Sequence, residues 1–165
     1  MSEISKSVKI VAMRLRERGQ TVAFAESCTG GLVAASFAAE SGVSDVFVGG
    51  VIAYSNKVKT KVLGVPESVI RQLGAVSPTT ALAMARGVGR VIDATWGASI
   101  TGVAGPSGGT VHKPVGTVCF AIVGPGVEWS CQRHFSGDRN AVQAQSARFL
   151  VDSLIPFFGA ESERK

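Results

Sequence analysis

Ile4, Val8, Val11 and Leu15 recur at helical spacing, one face of a helix that Gly19 stops. Thr21 to Ala25 is a short apolar run that reads as a strand. It leads through Glu26-Ser27-Cys28-Thr29-Gly30-Gly31 into an alanine-rich segment, 32–40, that reads as a buried helix. Val46 to Ser55 is strand-like, and the stretch after it turns helical, with Gly64 as its stop. Ser77 and Pro78 supply an N-cap and a first-turn proline for a further helix. From Trp96 a strand runs into a glycine-rich loop ending at Gly109. Val115 to Gly124 and Val127 to Phe135 alternate well enough to pair around a Gly124-Pro125-Gly126 turn. The last helix starts near Asp138 and carries Val142, Phe149, Leu150, Leu154 and Phe157 toward the core. Strands alternating with helices, then a closing hairpin, predict an α/β fold: a three-layer α/β/α sandwich with a mixed, largely parallel central sheet. Ligands of such sheets sit outside the carboxyl ends of the strands, where both glycine-rich loops fall.

Composition sharpens this picture. The 165 residues suit one domain, 1–165, with 159–165 expected to be a solvated tail. Apolar residues make up 45% and charged residues 18%, which excludes a disordered chain. No window approaches 18 uncharged apolar residues, and the first twenty lack a signal peptide's apolar centre. A soluble, cytoplasmic protein without a membrane partner is expected. Cys28, Cys119 and Cys131 form no CxxC pair and read as free thiols in a reducing compartment. With two histidines, His112 and His134, and no Cys/His cluster, no metal or other cofactor is expected. The net charge of +5 suits an anionic ligand, either a phosphorylated small molecule or a nucleic acid. Aromatic content of 7%, without basic–aromatic interleaving, gives no support to a nucleic-acid partner.

Three segments are candidates for chemistry. In Glu26 to Gly31, a hydroxyl at a strand-to-helix junction meets free N–H groups that stabilise an oxyanion or bind phosphate. The plainer alternative is that Ser27 and Thr29 cap the helix. No Gly-Lys-Ser/Thr follows at P-loop distance. In Tyr54-Ser55-Asn56-Lys57-Val58-Lys59, a lysine can serve as the base of a Ser–Lys pair if burial and neighbouring cations lower its pKa. Lys57 and Lys61 are close enough in sequence to assist by repulsion; the alternative is a solvated basic face. Topology brings Ser27 and Lys59 to one sheet edge. Thr101 to Gly109 is a loop able to wrap a ligand with main-chain donors, or else a hairpin connection. Arg139, opening the last helix, suits bidentate phosphate binding or a helix-start salt bridge.

Read in order, AESCTGG (25–31), YSNKVK (54–59), GAVS (74–77), TGVAGPSGG (101–109), KPVGTV (113–118) and FSGDR (135–139) resemble the CinA C-terminal domain family. The resemblance runs from about Val8 to Phe158. Stand-alone members of that family include nicotinamide-nucleotide amidases, which deamidate nicotinamide mononucleotide to nicotinic acid mononucleotide and ammonia in pyridine-nucleotide salvage. The family's other members carry an extra N-terminal domain, which is not expected here, and homo-oligomers are usual. Joined to the chemistry of these segments, the resemblance makes Ser27 the expected nucleophile and Lys59 the expected base, with Tyr54 and Thr101 as candidates for orienting the reaction. The same proposal expects an oxyanion site at Thr29, Gly30 and Gly31, and takes Asn56, Gly105, Gly108, Gly109 and Arg139 as candidate substrate contacts. Cys28 is the rival nucleophile. The rival function is a regulatory module that binds a nucleotide without turning it over.

Overall fold

The computed structural model describes residues 3–158; the tail expected at 159–165 lies outside the described residues. The strands are β1 (Val22–Glu26), β2 (Phe47–Ile52), β3 (Trp96–Gly102), β4 (Thr117–Gly124) and β5 (Val127–His134). The helices are α1 (Glu3–Glu17), α2 (Leu32–Ala38), α3 (Asn56–Lys61), α4 (Glu67–Leu73), α5 (Pro78–Ile92) and α6 (Arg139–Leu154), the last followed by a 3₁₀ turn at Ile155–Phe158. One sheet runs in the order β2-β1-β3-β4-β5. β1 is parallel to β2 and to β3, while β4 is antiparallel to β3 and to β5. Four of the five strands therefore point the same way, so the sheet is mixed and largely parallel.

The two sides of the sheet differ in bulk. Val22, Phe24, Ala98, Ile100, Val118, Phe120 and Ile122 pack under α1, α2 and α6. Phe24, Phe37 and Phe47 form an aromatic cluster there, with ring centroids 4.9 to 5.7 Å apart. The opposite side is lined by Ala23, Ala25, Gly97, Cys119 and Ala121, which let α5 approach closely. A Cβ on Gly97 would lie 2.0 Å from the Ala85 carbonyl oxygen. Helices on both faces complete the three layers.

Local signals act as read. Ser77 caps α5 through the Thr80 N–H at 3.1 Å, with Pro78 in the first turn. Asp138 caps α6 through the Ala141 N–H at 2.9 Å. Gly124 pairs with Val127 across a two-residue turn. Three readings need correction. The segment after Gly31 is not a buried helix: only Val33 and Phe37 are buried, and Leu32 is 42% exposed. The strand expected to reach Ser55 ends at Ile52. Helix α4 was not anticipated; none of its residues is fully buried, so no apolar stripe marks it.

Connectivity positions the site. β1 leads through α2, on the aromatic side, to β2 at the sheet edge. β2 then leads through α5, on the other side, to β3 across β1. The strand order thus reverses at β1, and a crevice opens at its carboxyl end. Ser27 is the first residue beyond it. Among the described residues no helix is long and apolar enough to cross a membrane.

Candidate active site

Beyond β1, residues 27–30 form a turn closed by the Gly30 N–H donating to the Ser27 carbonyl at 3.1 Å. The Ser27 N–H donates to the Ile100 carbonyl at 2.9 Å, tying the turn to β3. Glu26 holds the far side. Its fully buried carboxylate accepts from the Thr29 hydroxyl at 2.7 Å and from the N–H groups of Gly31, Val33 and Ala34 at 2.8–3.1 Å. Such a carboxylate satisfies the orphan donors of the first helical turn and offsets the positive end of its dipole.

Lys59, on the short helix α3, points back under this turn. The residue is 1% exposed, and its Nζ lies 2.9 Å from Ser27 Oγ, 2.7 Å from the Ala53 carbonyl oxygen and 3.3 Å from that of Tyr54. A neutral amine has two N–H bonds and one lone pair. Protonated, the amine donates to Ser27 Oγ and to both carbonyls; once deprotonated, with its two N–H bonds given to the carbonyls, its lone pair is left for the Ser27 hydroxyl. Burial lowers the Lys59 pKa from 10.5 to about 8. The cause is desolvation rather than neighbouring cations, since Lys57 and Lys61 are exposed on the same helix. This corrects the expectation that mutual repulsion would help to neutralise it.

Above Ser27 opens a cavity of about 320 Å³, lined by Ser27, Cys28, Tyr54, Gly105, Gly108 and Arg139 among others. Arg139 joins its sides, donating to the Gly105 carbonyl at 2.8 Å and to the Tyr54 hydroxyl at 2.7 Å. Gly105 and Gly108 have φ of +84° and +88°, in the left-handed region that glycine enters without strain. Cys28 also lines the cavity, but burial pushes its thiol up to about 12. Both histidines are exposed, and neither lines the cavity. A thiolate is therefore suppressed where a serine already has an amine beside it.

Other residues expected at the site are placed elsewhere. The Thr101 hydroxyl, 1% exposed, donates to the Ala75 carbonyl at 2.8 Å and does not line the cavity. The Gly30 and Gly31 N–H groups bond to Ser27 and Glu26, so they are not free for an oxyanion. Asn56 lines a separate groove between α3 and α4. Gly109 packs against the backbone of Pro114 and Val115 outside the cavity. Two contributors went unnoticed in the sequence, namely Glu26 as internal cap and Gln143, whose Nε2 donates to the Cys28 carbonyl at 2.7 Å. The Glu26 signal was a carboxylate just before a helix start; Gln143 had none beyond lying four residues after Arg139. Among the described residues no group of three His, Cys, Asp or Glu side chains could hold a metal ion.

A buried serine–lysine pair thus lies at the switch point of an open α/β sheet, beneath a cavity of about 320 Å³. The CinA C-terminal domain model matches residues 4–157, and the chain belongs to that family. A CinA-like protein of Anaeromyxobacter dehalogenans (strain 2CP-C) is 49% identical over 145 residues, 88% of this chain and 36% of the relative. A CinA-like protein of Myxococcus xanthus (strain DK1622) is 47% identical over 146 residues, 88% of this chain and 35% of the relative. The chain thus spans about a third of the length of these curated relatives. Among solved structures, a competence/damage inducible protein, CihA, from Agrobacterium tumefaciens superposes with a TM-score of 0.92 at 32% identity, covering 96% of this chain and 98% of that one. A competence-damaged protein (CinA) superfamily member from Klebsiella pneumoniae 700603 gives 0.91 at 33% identity, covering 95% and 98%.

Proposed function

We propose that this protein is a nicotinamide mononucleotide amidohydrolase that works through an acyl-enzyme on Ser27. The observation that carries the reading is the 2.9 Å contact between Lys59 Nζ and Ser27 Oγ, with the lysine buried and the serine facing the cavity. Binding alone needs no such pair, which argues against a module that holds a nucleotide without reacting.

In this reading Ser27 Oγ bonds to the carboxamide carbon while the Lys59 amine takes the hydroxyl proton. The negative charge that develops on the carboxamide oxygen falls to main-chain N–H groups of the 27–30 turn. Lys59 then returns the proton to the amide nitrogen, the C–N bond breaks, and ammonia leaves. Water attacks the acyl carbon, Lys59 takes its proton, and nicotinic acid mononucleotide departs as Ser27 Oγ is reprotonated. Arg139 and the Gly105–Gly108 stretch bind the ribose phosphate, and Tyr54 holds the Arg139 guanidinium in place by accepting its N–H. No cofactor takes part.

The test is ammonia release from nicotinamide mononucleotide without added metal, beside a Ser27→Ala control. Wild-type release that falls by about 10⁴-fold or more in the variant supports the reading. Equal release from both removes Ser27 as nucleophile; none from a folded wild type that binds the mononucleotide favours the binding module.

A further inference from the structure

Arg139 and Gln143 stand four residues apart on α6, one turn along the same face. Arg139 reaches the open side of the cavity, and Gln143 reaches its floor. The acceptor of Gln143 is the Cys28 carbonyl, so the group donating to it is the side-chain NH₂. That carbonyl and the Thr29 N–H belong to one planar trans peptide unit, in which C=O and N–H point in opposite directions. Holding the carbonyl therefore fixes where the Thr29 N–H points. In the 27–30 turn the closing bond uses the Gly30 N–H, and the Thr29 carbonyl accepts from the Leu32 N–H at 3.2 Å. Among the described residues no acceptor is found for the N–H of Thr29, which is 2% exposed and does not itself line the cavity but follows Cys28, which does. A buried N–H without a partner is rare in a folded protein and asks for an occupant.

We propose that Gln143 is a positioning residue: through the Cys28 carbonyl it aims the Thr29 N–H at the oxyanion formed when Ser27 is acylated. It also strengthens that donor, because accepting a hydrogen bond at the C=O end polarises the N–H end of the same amide. The inference rests on the Ser27–Lys59 reading and deepens it. It transfers the oxyanion site from the Gly30 and Gly31 donors, which the fold has already used, to the peptide unit that Gln143 holds. Glu26 fixes the same turn from the other side, through the Thr29 hydroxyl.

The experiment compares wild type with Gln143→Glu, which keeps the shape but has no N–H to give, and Gln143→Leu, which removes the donor without adding charge. Two rates are read on the full chain: ammonia release from nicotinamide mononucleotide, and sulfonylation of Ser27 by phenylmethanesulfonyl fluoride followed by intact mass. Both need charge stabilised beside Ser27, and the second does not depend on the identity of the substrate. The Thr29 amide cross-peak in a ¹H–¹⁵N spectrum reports the donor directly. The expected result is a fall of about tenfold in kcat and in sulfonylation rate, well short of deleting the donor itself, with KM nearly unchanged and the Thr29 cross-peak displaced. Unchanged rates, or slower rates with an unmoved Thr29 cross-peak, would overturn the inference while leaving the Ser–Lys reading intact. A wild type that is neither sulfonylated at Ser27 nor active would sink the Ser–Lys reading and this inference together.

Discussion

The two sides of the cavity are built on opposite plans. On the floor, Glu26, Ser27, Thr29 and Lys59 are all buried, and each polar side chain is committed to a named partner. On the open side, Tyr54 is 59% exposed, Gly105 and Gly108 take left-handed backbone, and Arg139 supplies side-chain hydrogen bonds that join the parts. Preorganised groups act most strongly where water is excluded. An adaptable, wetter surface suits recognition of the rest of a ligand. Under the proposed amidohydrolase reading, the contrast puts chemistry at the floor and binding at the open side. It predicts that substitutions on the floor cost turnover or stability, and that those on the open side cost affinity.

The largest effect is expected at Lys59. Lys59→Met keeps a long apolar stem but removes the base, and kcat for ammonia release should fall by about 10³-fold with little change in KM. Its stability carries a second signature. The folded pKa, about 8, lies below the ordinary 10.5, so between these values the unfolded chain binds more protons. Wild-type stability should therefore rise relative to Lys59→Met as pH climbs from about 8 to 10.5, and denaturant unfolding across that window checks the sign.

Glu26 comes next. Glu26→Ala strands the four donors that its carboxylate now satisfies, and should cost about 3 kcal/mol or more by urea unfolding. A loss below about 1 kcal/mol would mean that water replaces the carboxylate, and that the floor is less dry than the contrast requires. The smallest effect belongs to the open side. Arg139→Ala should raise KM for the mononucleotide about tenfold and leave kcat within a few-fold. A kcat loss larger than the KM change would erase the division between the two sides.

Much of this was legible in the sequence, for physical reasons that can be named. The apolar stripe Ile4-Val8-Val11-Leu15, the Ser77-Pro78 start and the Asp138 start each rest on short-range rules, and all three match the structure. Ser27 and Lys59 were visible because both follow strands at one sheet edge, and the parallel register of β1 and β2 does bring them together. Other features depend on tertiary contacts that spacing does not report. Helix α4 buries no residue fully, so it leaves no periodic trace. The glycines at 30 and 31 look like ligand-facing donors until Glu26 is seen to fold back beneath them. Thr101 looks like a site hydroxyl, but alternation along β3 turns it toward Ala75. The lysine cluster suggested repulsion as the cause of a low pKa, whereas α3 buries one member and exposes its two neighbours.

The central claim is that burial lowers the Lys59 pKa far enough for its neutral form to activate Ser27. Its most direct test is the pH dependence of kcat/KM for ammonia release, from about pH 6 to about pH 10, in wild type and in the Lys57→Ala/Lys61→Ala double variant. Rates should rise with pH and level off above an inflection near 8, and removing the exposed lysines should leave that inflection within about 0.3 of a unit. A flat profile, or an inflection that moves by a full unit when the neighbours are removed, would contradict the account.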